Sequence, residues 1–239
     1  MVALVASIPA RVLAVIVPAD RLAMDGYSGT LWQGRVARCV LTTNSGYFHL
    51  GAVEWSLDPF SLLTLSPSVR LHSHWGRQKI SADVRLEGSN GYSLKNLEAS
   101  VSARLLQQFL PVAVEGEFAA TISQLQIRDG LPTEGEGRLL WRNAGWQSSQ
   151  GIMPLGSYAL DFEQIDGGAM QAIVVTVNGP VEASGSVTFD AGRYDLNILL
   201  AGDGGLNSQL KQALSLVAQP VAEGYRIALK GQLKDMEQE

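Results

Sequence analysis

Cys39 is the only cysteine among 239 residues. That excludes an intramolecular disulfide framework and a cysteine-rich metal site. Histidine is nearly as scarce, with three residues, His49, His72 and His74. Charge is thin as well: 17% of side chains, 23 acidic against 18 basic, with a net charge of -5 and no block of one sign. Nucleic-acid binding needs a concentrated basic footprint that displaces counterions, so that class of partner is excluded. An anionic membrane surface is no electrostatic partner either. The opening "MVALVASIPARVLAVIV" carries one charge, Arg11, and is broken by Pro9. It falls short of the about 20 apolar residues of a spanning helix, and it has neither a basic leader nor a small-residue cleavage site.

What is present describes a folded, weakly charged chain. Hydrophobic residues make up 46%, with 25 glycines, and a chain of this length buries roughly 70–75% of its unfolded surface. From residue 25 onward the dominant period is two, the mark of strands with one buried face. In "VRLHSHWGRQKISADVRL", Val69, Leu71 and Trp75 alternate with Arg70, His72 and His74. Gly76 to Gln78 turn the chain, and Ile80, Ala82, Val84 and Leu86 then alternate with Lys79, Ser81, Asp83 and Arg85. "GSVTFDAGRYDLNILL" repeats the pattern around an Asp190-Ala191-Gly192 turn. Shorter versions stand in "VEWSL", "YALDF", "IVVTVN" and "YRIALKG". In "EFAATISQLQI" the parity slips between Ile122 and Leu125, which predicts a β-bulge at Ser123-Gln124.

Helical signals are few. "ARVLAVIV" is a short helix ended by Pro18; "DPFSLLTL" (58–65) has an Asp-Pro start; "SARLLQQFLP" (102–111) stops before Pro111. "LNSQLKQALSLVAQP" (206–220) lines up Leu206, Leu210, Leu214 and Val217 and is expected to cover part of the sheet. No polar linker divides the chain. The expected architecture is mainly all-β, a single strongly curved antiparallel sheet, half-barrel or sandwich-like. Residues 1–18 form either a short packing helix or the outer end of a membrane anchor; 19–239 form one β-rich domain.

Reactive constellations are missing. His72-x-His74 could place two imidazoles on one side of a strand, but Asp83 is the sole further ligand in view and a site needs three or four; a solvated polar face is the better reading. His49 reads as a strand-border residue, and Cys39, in "VARCVL", as a small apolar strand residue. No G-x-S-x-G elbow occurs, no histidine follows position 74, and "GYSG" precedes a strand instead of ending one. Glu115 with Glu117, and Glu134 with Glu136, sit beside glycines as solvated turns do. "AGDGGLNSQL" lacks the Lys-Ser/Thr of a phosphate loop and reads as a turn and helix start. No catalytic residue, metal site or cofactor is assigned.

An ordered set of segments, "IPARVL", "MDGYSGTLWQGRV", "VEWSLDPFSLL", "KNLEASVSARLL", "EGEGRLLWRNAG", "LGSYALDF" and "GYRIALKGQL", resembles the type II secretion system protein N family over essentially the whole chain. The resemblance implies an inner-membrane protein with an N-terminal anchor, of which residues 1–17 would be the outer end, and a periplasmic main domain. It implies other secretion-system envelope subunits as partners, and carries no catalytic residue.

Within "DGYSGTLWQGRV", Gly26 and Gly29 permit a chain reversal, Thr30, Leu31 and Trp32 favour extended structure, and Gly34 marks a bulge or a close backbone approach. Trp141 repeats the arrangement. Trp32, Trp55 and Trp141 are expected to bury about 150–250 Å² each in the concave core, so that Trp32→Ala would cost about 3–5 kcal/mol. Two functions follow: a noncatalytic accessory component of the secretion apparatus, or a periplasmic module that holds a lipid or other amphiphile on an apolar concave face, against which stands a core fully packed by its own side chains.

Overall fold

A computed structural model of the chain describes residues 7–17, 20, 22–43, 46–88, 90–108, 113–148, 151–165, 168–202, 206, 208–215 and 218–232. Fourteen strands make one antiparallel sheet. They are β1 (Leu22–Gly29), β2 (Gln33–Thr43), β3 (Gly46–Leu57), β4 (Ser68–Trp75), β5 (Gln78–Glu87), β6 (Gly91–Ser102) and β7 (Val114–Arg128), followed by β8 (Leu131–Ser148), β9 (Gly151–Gln164), β10 (Met170–Asn178), β11 (Val181–Asp190), β12 (Arg193–Gly202), β13 (Gln219–Val221) and β14 (Gly224–Gln232). Each strand lies beside its predecessor as far as β12. The last two exchange places, so β14 pairs with β12 and β13 lies outermost. The sheet does not close: β1 and β13 are its two edges.

The period of two in the sequence becomes two faces in the structure. One row of directly opposed residues runs Tyr27, Val36, Val53, Ser73, Ile80, Ala99, Ala120, Leu139, Leu160, Val174, Gly185, Ile198, Ile227. The row one residue away runs Arg35, Glu54, His72, Ser81, Glu98, Thr121, Arg138, Asp161, Ile173, Ser186, Asn197, Ala228. The first is apolar but for Ser73, whose hydroxyl donates to the Leu50 carbonyl at 2.6 Å; the second is largely polar. Among the described residues, six of seven ion pairs join residues directly opposite one another on neighbouring strands, Arg70–Asp83 at 2.8 Å and Lys230–Asp195 at 2.7 Å among them. Exposed pairs of this kind contribute about 0–1 kcal/mol each. Their larger effect is on register, because a slip of one residue would set like against unlike everywhere.

The bulge expected at Ser123 is present: Ile122 faces Gly137 and Gln124 faces Glu136, leaving Ser123 as the extra residue. Its hydroxyl donates to the Glu136 carbonyl at 3.0 Å. Ile122 and Leu125 thereby reach the same face. Both expected hairpins form, turning at 76–77 and at 191–192. Ala191 and Gly192 both have positive φ, 47° and 83°, the turn whose twist suits an antiparallel pair.

Burial is concentrated at two places. Near the amino end Ala10, Val36, Cys39 and Trp55 form a cluster with Leu13, Met24, Tyr27 and Leu71 against it. Val36 and Cys39 are the largest fully buried side chains among the described residues. Burial pushes the Cys39 thiol up to about 11, so it stays an inert apolar group. At the other end Leu206, Leu210 and Leu214, around the helix Ser208–Leu214, pack on Val181, Leu155 and Tyr225. This helix covers the sheet as its apolar spacing predicts; Val217, expected on the same stripe, lies outside the described residues, as does Pro18. The segment 58–65 holds a shorter turn than expected, a 3-10 helix at Pro59–Leu62, and a second 3-10 helix stands at Ala103–Gln108, with residues 109–111 outside the described residues.

Of the three tryptophans expected in the core, Trp55 is 8% exposed and belongs to the amino-end cluster. Trp32 is half-buried on a bend. Trp55→Ala should therefore cost about 3–5 kcal/mol, and Trp32→Ala clearly less. Urea unfolding of the two variants checks the order; equal losses would contradict it.

Candidate functional site

The segment 25–36 is a hairpin tip. β1 runs through Gly26 and Gly29, both at positive φ (74° and 82°), and Gly29 pairs with Gly34. The reversal is made by Thr30, Leu31 and Trp32, which form the loop and not the strand that their β propensity suggests. The Thr30 N–H donates to the Gln33 carbonyl at 2.8 Å, and the Gln33 N–H donates back to the Thr30 hydroxyl at 3.2 Å. A Cβ on Gly34 would overlap both the Trp55 ring and the Thr30 carbonyl oxygen, so the glycine marks a close approach. The Trp55 indole N–H then donates to the Leu31 carbonyl at 2.9 Å. The tip thus supplies the polar partner that a buried tryptophan needs.

Trp141 sits in a second copy of this device. Its indole N–H donates to the Glu115 carbonyl at 2.9 Å, beside Gly116 at φ 112°, where a Cβ would meet the indole nitrogen. Phe118 stacks on it at 5.3 Å and Tyr158 lies tilted at 5.9 Å. The Tyr158 hydroxyl is 2.9 Å from the carbonyl oxygens of Leu155 and Val181, and burial raises its pKa to about 12. Phe118 was legible in the sequence only as an alternating strand residue, and Gly116 and Tyr158 were not legible as its companions; the aromatic spacing across "EFAAT", "LLWRN" and "YALDF" was the available signal.

On the polar face, carboxylates are matched to cations. Asp83 accepts from Asn96 at 2.9 Å and from Arg70 at 2.8 Å, and these bonds hold its carboxyl below the usual value. His72 stands opposite Glu54 and Ser81, and His74 opposite Lys79 and Ala52. Asp83 is engaged by Arg70 and Asn96, and no group of three metal-ligating side chains occurs among the described residues. His49 packs on Trp75 with ring centroids 4.5 Å apart. Glu115 takes a forked bond from Arg104 at 2.7 and 2.8 Å; Glu117 accepts from Ser100 at 2.8 Å. Glu134 and Glu136 face Gln126 and Gln124. The "AGDGG" turn falls mostly outside the described residues.

A cleft of about 740 Å³ opens on this face across β6 to β10, with Glu98, Thr121, Arg138, Asp161, Glu163 and Gln171 on its walls. Arg138 and Asp161 pair through two bonds, the outer at 2.7 Å, and this pairing lowers the pKa of Asp161. Here too acid and base are locked together.

The model of the family described as type II secretion system (T2SS), protein N, matches residues 20–228. The chain belongs to the type II secretion system protein N family. It is similar to the type II secretion system protein N of Vibrio cholerae serotype O1, 26% identical over 98% of this chain and 94% of that protein. It is also similar to the protein of the same name from Aeromonas hydrophila, 27% identical over 87% of this chain and 82% of that one. No solved structure matches. The family is that of a secretion-system component, and its other components are the class of partner it implies.

The lowered pKa of Asp83 sets a sign. A carboxylate depressed in the folded state adds stability above its ordinary value near 3.8, and that stability is lost as pH falls through the native value. The cost of Asp83→Asn should therefore be largest at neutral pH and shrink below about pH 4. Urea unfolding across that range measures it; a cost independent of pH would be the contrary result.

Proposed function

We propose that the protein is a noncatalytic accessory subunit of the type II secretion apparatus, tethered at the inner membrane with its sheet in the periplasm. It acts by offering a sheet edge to other envelope subunits. The observation that carries this reading is β1. Over eight residues, Leu22–Gly29, it has one ladder partner, β2, so alternate backbone N–H and C=O groups point outward and can take an added strand. The opposite edge is blunted: β13 has three residues, and Pro220 at its centre has no N–H to give.

The polar face engages its charged side chains with one another, in pairs such as Arg70–Asp83 and Arg142–Glu117, which supports a role without chemistry. The amphiphile reading gains no comparable support, since the 740 Å³ cleft lies on the polar face and carries carboxylates on its walls.

Photo-cross-linking in intact envelopes tests the proposal. Probes at Ala23 and Ser28 on β1 should trap other secretion subunits, while a probe at Asn197, in the polar row of β12, should not. Recovery of no secretion subunit from any position would overturn the reading.

A further inference from the structure

The connection between β3 and β4 departs from the rest of the surface. Phe60 is 77% exposed, Leu63 81% and Leu65 86%. Between Asp58 and Arg70 there is no charged residue. The loop is nevertheless held firmly. The Asp58 carboxylate accepts from the Phe60 N–H at 3.0 Å, and the buried Ser61 hydroxyl donates to the Asp58 carbonyl at 2.5 Å while accepting from the Ser68 N–H at 2.8 Å. The N–H groups of Leu63, Leu65 and Ser66 all find carbonyls inside the loop. Leu65 takes a positive φ of 54°, a conformation that costs a bulky residue energy. Apolar side chains are thus pointed outward on a frame in which the N–H groups of Phe60, Ser61, Leu63, Leu65, Ser66 and Ser68 are already bonded within the loop, which lowers the cost of bringing them into a medium without water.

Position supplies the second argument. The Leu57 N–H donates to the Trp32 carbonyl at 2.7 Å, and the Leu31 N–H donates to the Ile8 carbonyl at 2.8 Å. The loop, the Trp32 tip and the point at which the amino-terminal segment, whose one charged side chain is Arg11, joins the sheet therefore occupy one corner. The other described turns at this end of the sheet carry polar or charged groups, as at Asn90, Asp129 and Asp190–Arg193.

We propose that the loop 59–67 is a membrane contact that dips into the interfacial layer of a phospholipid bilayer and, with the amino-terminal segment, seats this corner of the sheet on the membrane. The chemistry is that of a monotopic apolar loop: Phe and Leu enter the acyl boundary, and Trp32 sits at the headgroup level where indoles are favoured. The loop itself is uncharged, so the share of binding that its substitution removes should not depend on salt. The proposal rests on the membrane tether of the preceding section, but it is tested apart from it.

The full chain is mixed with vesicles of phosphatidylethanolamine and phosphatidylglycerol and floated. Phe60→Ser, Leu63→Ser and Leu65→Asn should each weaken binding about tenfold without lowering stability in urea unfolding, Leu65→Asn even raising it because Asn tolerates the positive φ, at low and high salt alike. A Phe60→Trp reporter should be quenched by brominated phospholipid. Unchanged flotation of the variant with all three polar substitutions, or an unquenched reporter, would overturn the proposal. If the loop instead docks a protein, vesicle binding is unaffected and the same substitutions abolish envelope cross-links from this corner. Failure here leaves the β1 cross-links to secretion subunits intact, so the two ideas fall separately.

Discussion

Phase is the constraint on which this structure depends. Fourteen hydrogen-bonded strands must each send their apolar residues to the same side, and the error at any one hairpin would pass to all those beyond it. The two rows from Tyr27 to Ile227 and from Arg35 to Ala228 show the phase kept across the sheet. Where the sequence falls out of step, the backbone corrects it. Ser123 is set aside as a bulge so that Ile122 and Leu125 agree. Cross-strand ion pairs then mark the correct register on the wet side, each fixing one strand against its neighbour.

The same constraint explains where burial is deep and where it is not. A single sheet covers only one side of its own apolar row. Full burial therefore appears where something else is laid against it, the amino-terminal turn over Val36 and Cys39, and the helix Ser208–Leu214 over Val181. Between them side chains such as Leu139 keep more than a third of their surface open. Trp55 belongs to the amino-end cluster and Trp141 stacks with Phe118 and Tyr158; each indole donates one hydrogen bond to a backbone carbonyl and has a glycine against its ring.

How much of this could be read from residues depends on how local the cause was. The hairpins around 76–77 and 191–192, the bulge at Ser123 and the stripe of Leu206, Leu210 and Leu214 are written in short periodic patterns. Thr30–Trp32 misled because β propensity is a matter of context: the pairing of Gly29 with Gly34 puts those residues in the loop. Trp55 and Trp32 look alike in sequence, and what separates them is the ring's seat over Gly34, made by two different strands. That the sheet stays open is a relation between its two ends, β1 and β13, which lie far apart in the chain and do not pair. The loop at 59–67 was legible as a helical turn with an Asp-Pro start, but its outward-facing leucines depend on Ser61 being drawn inward. The functional reading followed the family's ordered segments, while the edge and the corner that give it physical form came from the fold.

Amide hydrogen exchange tests the open two-faced sheet most directly. Amides of β7 to β9 should be strongly protected, while on β1 those bonded to β2 are protected and those on the outer side exchange at the rate of unstructured chain. Uniform protection along β1, equal to that of β8, would mean that the edge is already paired and that the sheet closes or is augmented within the chain itself.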